Sequence, residues 1–139
     1  MGGRFETFLL ESTRQSMSFA KTVRIAATLV TIAVWVLCLL PLQQVSVPGG
    51  DKLHHLLAYA TLMLMWILAL DSTTFRRQAL VGAALVLMGL LVECAQGLTA
   101  YRFFDWADVA ANTTGVMVGW IAALSALRTV AMRRRKLHG

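Results

Sequence analysis

The chain has 139 residues, 58% of them hydrophobic and only 14% charged, with thirteen Lys and Arg against seven Asp and Glu. Soluble domains carry about 25% charged residues, so the composition excludes an ordinary water-soluble domain and predicts one membrane-embedded unit. A formal net charge of +6 would suggest nucleic acid in a soluble protein; here the basic residues stand at the ends of apolar segments, no aromatic-basic stretch offers bases a stacking surface, and nucleic-acid binding is set aside.

The first apolar segment runs over about 25–40 and stops at Pro41. Residues 1–24 before it are read as a cytoplasmic tail, in which Met17 is an alternative start because "MSFAKTVR" already supplies a positive flank. No small-x-small site follows Leu40, so the segment is read as an uncleaved span and not as a signal peptide. "PLQQVSVPGG" holds both prolines and a Gly-Gly pair and reads as a loop.

The second segment, about 53–70, is headed by "DKLHH". "DSTTFRRQ" joins it to the third, about 79–98, and its "DSTT" offers a turn or helix-capping signal. "TAYRFFDWAD" leads to the fourth, about 109–127. Each segment is near the roughly 20 residues that a helix needs to cross about 30 Å of hydrocarbon, and helices satisfy their backbone groups within the segment. The expected fold is all-α: a polytopic membrane protein with a four-transmembrane-helix bundle over 25–127 and a basic cytoplasmic tail over 128–139.

Charge sets the expected orientation. Arg4, Arg14, Lys21 and Arg24 precede span one, Arg76 and Arg77 lie between spans two and three, and Arg128, Arg133, Arg134, Arg135 and Lys136 follow span four. Only Lys52 and Arg102 fall on the other side. The positive-inside rule then places both termini in the cytoplasm. Cys38 and Cys94 lie within apolar segments, outside any CxxC pair, and read as buried small hydrophobes; both fall near the same face, so a disulfide stays open.

On this orientation the polar residues gather at the outer side. Asp51, His55 and Tyr59 form one stripe on span two at i, i+4 and i+8, and His54 is turned away by about 100°. Glu93 and Gln96 share a face of span three. Asp105, Asp108 and Asn112 share one on span four. Ionisable groups at membrane depth face a protein interior or water and find partners there, so the three stripes should meet at a common centre. Gly115-x-x-x-Gly119 is a close-packing pattern that would let another helix approach that centre, or another copy associate.

The pattern "DKLHHLLAY" followed by "ECAQGLTAYRFFDWADVAANTTGVMVG" resembles the VanZ-like family of small bacterial membrane proteins. The match rests on Asp51, Lys52, His55, Tyr59, Glu93, Gln96, Arg102, Asp108, Asn112, Gly115 and Gly119, and covers about residues 40–120. His54 lies outside the pattern. In "FFDWAD" the chain departs from it, which leaves the role of Asp105 open. The resemblance implies a multi-pass protein of the bacterial cytoplasmic (inner) membrane acting in the cell envelope. The family's founding member is tied to low-level resistance to teicoplanin, and no established chemistry comes with the name.

Two functional readings follow. In the first, an outward-facing polar pocket binds a phosphate-bearing lipid or cell-wall precursor. His55, Glu93 and Asp108 are then candidate acid and base groups, with Asp51, Lys52, Tyr59, Gln96, Arg102 and Asn112 as candidate binding groups. Lys52 and Arg102 would clamp a phosphate, the arginine through two parallel donors. No HExxH-like spacing marks a metal site, and no cofactor is expected. In the second, the same groups are ion pairs holding together a scaffold or accessory subunit of an envelope enzyme. A channel or transporter is less favoured, because one copy has four spans and no discontinuous helix pair.

Overall fold

The computed structural model describes residues 2–40, 50–70 and 74–138. They form four helices: α1 (Gly2–Leu39), α2 (Gly50–Ala69), α3 (Phe75–Gly97) and α4 (Trp106–His138). Each contains a stretch long and apolar enough to cross a membrane: Met17–Leu39, Gly50–Ala69, Phe75–Gly97 and Trp106–Thr129. The expected all-helical, four-span architecture is therefore present, with no strand among the described residues.

The helices outrun the expected spans at both ends of the chain. No Pro or Gly interrupts 4–39 or 120–138, so nothing in the backbone stops the helix where the apolar run stops. Stretches read as tails, 2–24 and 128–138, are continuous with α1 and α4. The "PLQQVSVPGG" loop lies outside the described residues up to Gly50, as do Asp71, Ser72 and Thr73 of the capping signal. Thr74 does stand at the N-cap of α3, in extended backbone, but its side chain makes no capping bond.

Helix α2 is the hub. It packs on α1, α3 and α4, most extensively on α4. Tyr59, Leu62, Met63 and Ile67 of α2 form the core with Leu85 of α3 and with Val116 and Ala123 of α4. The α2–α4 contact is a backbone contact. The faces of Gly115 and Gly119 lie against the carbonyls of Leu56 and Ala60, an approach that a side chain of any size would block. The glycine face expected to allow self-association is thus occupied within the bundle by α2.

Helix α1 is held differently. Ala27 is its only fully buried core residue among those described, while Ile25, Leu29, Ile32, Val36 and Leu37 are exposed. Polar bonds dock it at three levels. Arg24 Nε donates to the Ala69 carbonyl at 2.8 Å, Trp66 Nε1 to Thr31 Oγ1 at 3.1 Å, and Gln96 Nε2 to the Cys38 carbonyl at 2.8 Å. Tyr101 adds its hydroxyl to the Leu39 carbonyl. The bonds from Gln96 and Tyr101 cap α1's last carbonyls, and the bond from Arg24 caps that of α2, where the helix itself offers no partner. Hydroxyls on lipid-facing surfaces, such as Thr28, Thr61, Thr114 and Ser125, donate to the carbonyl four residues earlier, so they meet hydrocarbon already satisfied.

Candidate functional site

At one end of the bundle the polar residues of three helices converge. The first turn of α2 brings Asp51 and Lys52, and its second brings His55. The last turns of α3 bring Glu93 and Gln96. The N-terminus of α4 brings Asp105, Asp108 and Asn112. Local capping orients the acids. Asp105 caps α4, its Oδ1 accepting from the Ala107 N–H at 2.8 Å and its carbonyl from the Asp108 N–H at 3.1 Å. Asp51 Oδ1 accepts from the Lys52 N–H at 2.9 Å. Carboxylates near helix N-termini lie at the positive end of the backbone dipoles.

Lys52 is the knot of the outer layer. Its Nζ stands 2.9 Å from Asp105 Oδ2, 3.0 Å from Asp108 Oδ1 and 3.6 Å from Asp51 Oδ2. An ammonium has three donors, and three carboxylates surround this one. Expected as half of a phosphate clamp, Lys52 instead meets the protein's own acids. Asp105, left open by the sequence, is one of them, and the Lys52 ammonium, followed by the Ala107 N–H, holds its carboxyl below the usual carboxylate range. The signal for Asp105 was present in its i, i+3 relation to Asp108 and its place just before α4.

The inner layer is drier. Glu93 is 0% exposed, Gln96 and Asn112 1%, Asp108 4% and His55 7%. His55 Nδ1 lies 3.0 Å from Asn112 Oδ1 and 3.9 Å from Glu93 Oε1, and its Nε2 lies 3.9 Å from Asp108 Oδ2. With Asn112 Oδ1 as acceptor, Nδ1 is the donor of this pair, and Nε2 is the ring nitrogen turned toward Asp108. Both oxygens of Glu93, the Tyr59 hydroxyl and Asn112 Nδ2 are buried without a hydrogen-bond partner among the described residues. Such orphaned groups are uncommon in folded proteins.

Gln96 belongs to another task, since its amide ties α3 to the end of α1. Replacing it by leucine, similar in volume but without the donor, should cost about 1 kcal/mol and loosen α1 at this end. Hydrogen exchange of the 34–39 amides would register the loosening; unchanged exchange would count against the tie.

Beside the polar layers lies a cavity of about 410 Å³, lined by Val34, Leu37 and Cys38 of α1, by Asp51, His54, His55, Ala58 and Tyr59 of α2, and by Arg102. A second hollow of about 500 Å³, lined by the 101–105 loop with Asp51 and Asp108, shares Asp51 and Arg102 with the first. Arg102 makes no hydrogen bond or ion pair with any described residue. His54, set aside from the sequence, also reaches the cavity wall although its side chain is exposed.

The two cysteines are both free thiols. Cys38 is half-buried in the cavity wall, as its apolar context suggested, whereas Cys94 is exposed on the outside of α3. The expectation of two buried cysteines fails for Cys94, because that position of the span faces away from the bundle.

No curated protein and no solved structure matches the chain significantly. The family model described as VanZ/LLP1 matches residues 5–128, which include the first three apolar spans, all but the last residue of the fourth and every polar residue of the site. This four-helix membrane protein belongs to the VanZ/LLP1 family.

Proposed function

We propose that the protein acts in the bacterial cell envelope by binding the anionic head of a lipid, or of a lipid-linked cell-wall precursor, in the cavity between α1 and α2. The carrying observation is Arg102, a cation on the wall of a largely apolar cavity with no bonded partner among the described residues. A guanidinium presents a planar fork of donors that suits a phosphate. Val34, Leu37 and Ala58 line the same space and suit an acyl or polyprenyl chain. Helix α1, docked chiefly by polar bonds, forms the wall past which such a chain would enter from the bilayer.

In this reading the polar end faces outward from the cytoplasmic membrane and both termini face the cytoplasm. Lys52 and Arg102 are the only basic residues at the polar end of the bundle, against eleven elsewhere, as the positive-inside rule requires. Asp51, His55 and Tyr59 line the head-group space with Arg102. His55, Glu93 and Asp108 are the groups beside it able to exchange protons with a bound head. Lys52, Gln96 and Asn112, also candidates for ligand binding, act in this reading as positioning groups, which the protein bonds that they make support.

A thermal-shift titration with undecaprenyl phosphate tests this. The parent protein in detergent should melt several degrees higher with the lipid, Arg102→Ala should melt near the parent without lipid but show no shift, and Arg102→Lys should recover part of it. Equal shifts in parent and Arg102→Ala would remove Arg102 from the reading, and no shift in the parent would remove the anionic lipid.

A second reading, a non-catalytic scaffold or accessory subunit of an envelope enzyme, is favoured by the Lys52 network, in which three acids and one base satisfy one another without a ligand. Polar contacts between membrane helices contribute about 0.6–2 kcal/mol each. It expects Arg102→Ala to leave lipid behaviour unchanged and the partner to be another envelope protein.

A further inference from the structure

The inner layer holds more buried acid than the outer network neutralises. Glu93 is wholly buried and, among the described residues, neither of its oxygens has a well-formed hydrogen bond, although the Asp105 N–H acts on its carboxylate. Lys52 takes Asp108 Oδ1 and leaves Oδ2 facing His55. Nε2 of that histidine lies 3.9 Å from Asp108 Oδ2, while Nδ1 faces Asn112 Oδ1; in the neutral form with the proton on Nδ1, Nε2 is free to donate an electron pair. Three groups able to donate an electron pair, the His55 imidazole and the carboxylates of Glu93 and Asp108, therefore face one another. An isolated buried carboxylate is costly unless paired, hydrogen-bonded or bound to a metal.

We propose that His55, Glu93 and Asp108 form a site for a divalent cation of the zinc or manganese class. One donor atom from each residue lies within 4.8 Å of the other two, and all three residues are buried. Zinc bonds of about 2.0–2.2 Å set neighbouring donors roughly 3–4 Å apart, so small rotations of the three side chains close the set. One imidazole with two carboxylates suits borderline and hard divalent ions.

The surroundings fit this assignment in a way that a mere acidic cluster would not. Asn112 Oδ1 fixes the histidine tautomer from behind, and the Lys52 ammonium holds the other oxygen of Asp108; outer partners of this kind orient ligands in metal sites. The donors come from α2, α3 and α4, one each, which is why no local ligand spacing announces them. His55 also lines the α1–α2 cavity, so an ion at this place would have an open side toward it. The inference does not depend on the lipid reading.

The test uses the full chain with a Strep affinity tag, stripped by chelator and dialysed. Zn²⁺, Mn²⁺ and Co²⁺ are titrated separately, with binding read by calorimetry and, for cobalt, by its visible absorption. The parent should take up one ion per chain with a rise in melting temperature. Glu93→Gln keeps the side chain's shape and removes the unpaired charge. It should melt at or above the stripped parent, because the bare carboxylate is gone, yet lose at least tenfold in ion affinity and alter the cobalt spectrum. His55→Gln provides a second variant should the first fail to fold, with the same expected loss. Absence of a stoichiometric ion in the parent, or equal affinity in parent and variants, would overturn the site. Higher stability in stripped Glu93→Gln together with no ion binding by the parent would do the same, leaving Glu93 as a neutral packing group.

Discussion

Gly119→Ala should separate α2 from α4 and remove most of the bundle's stability. A methyl group at 119 would stand on the Ala60 carbonyl, and one at 115 on the Leu56 carbonyl. Both obstacles are backbone atoms of a helix, which no rotamer change can move. Overpacking in a core typically costs about 1–3 kcal/mol, and here the closest helix pair would have to open along its length, so about 3 kcal/mol or more is expected. Gly82→Ala is the control, because its added methyl would meet Met63 and Val116 at 3.5 Å, ordinary contact with flexible side chains. Equilibrium unfolding in mixed detergent micelles should show Gly119→Ala far below the parent and Gly82→Ala beside it. A Gly119→Ala protein as stable as the parent would mean that the α2–α4 contact is not as described.

The second large effect belongs to Lys52. Lys52→Met keeps the stem and removes the charge that Asp51, Asp105 and Asp108 share. Stranding a buried charge costs about 3–5 kcal/mol. Asp108 is buried, but the lysine side chain is 39% exposed, so water softens the loss and the effect should fall below that range. The pH dependence carries the sharper signature. Asp105 is held below the usual carboxylate range by Lys52, so its contribution is present above its unfolded value near 4 and is lost as pH falls from there toward its folded value. Melting temperature in the parent should therefore fall on acidification below about pH 4, and Lys52→Met should show a shallower fall. Parallel curves for the two proteins would show that Asp105 draws nothing from Lys52.

The residues differ in how far they could be read from sequence. Spacing alone placed Asp51, His55 and Tyr59 on one stripe and Glu93 with Gln96 on another, because helical geometry fixes which residues share a face. It could not say which neighbour each face would meet. Glu93 turns into the centre, whereas Gln96, one turn on, reaches α1. Lys52 and Arg102 looked equivalent as cations, and only the placement of Asp51, Asp105 and Asp108 around Lys52 distinguishes them. The glycine pair announced a close approach but not its partner, since small residues admit any helix. Helix ends were the least legible part. Apolar composition marks the stretch suited to hydrocarbon, while backbone propensity carries α1 and α4 well past it.

The central claim, an anion-headed lipid seated against Arg102, has a reporter already in place. Cys38 lines the cavity and Cys94 faces away from the bundle, so a Cys94→Ser protein carries one thiol, inside the proposed binding space. The measurement is the rate at which a small maleimide labels Cys38 with and without undecaprenyl phosphate, in this protein and in its Arg102→Ala derivative. The account predicts slower labelling with the lipid when Arg102 is present and no protection when it is absent. Labelling unaffected by lipid, or equal protection in both proteins, would contradict it.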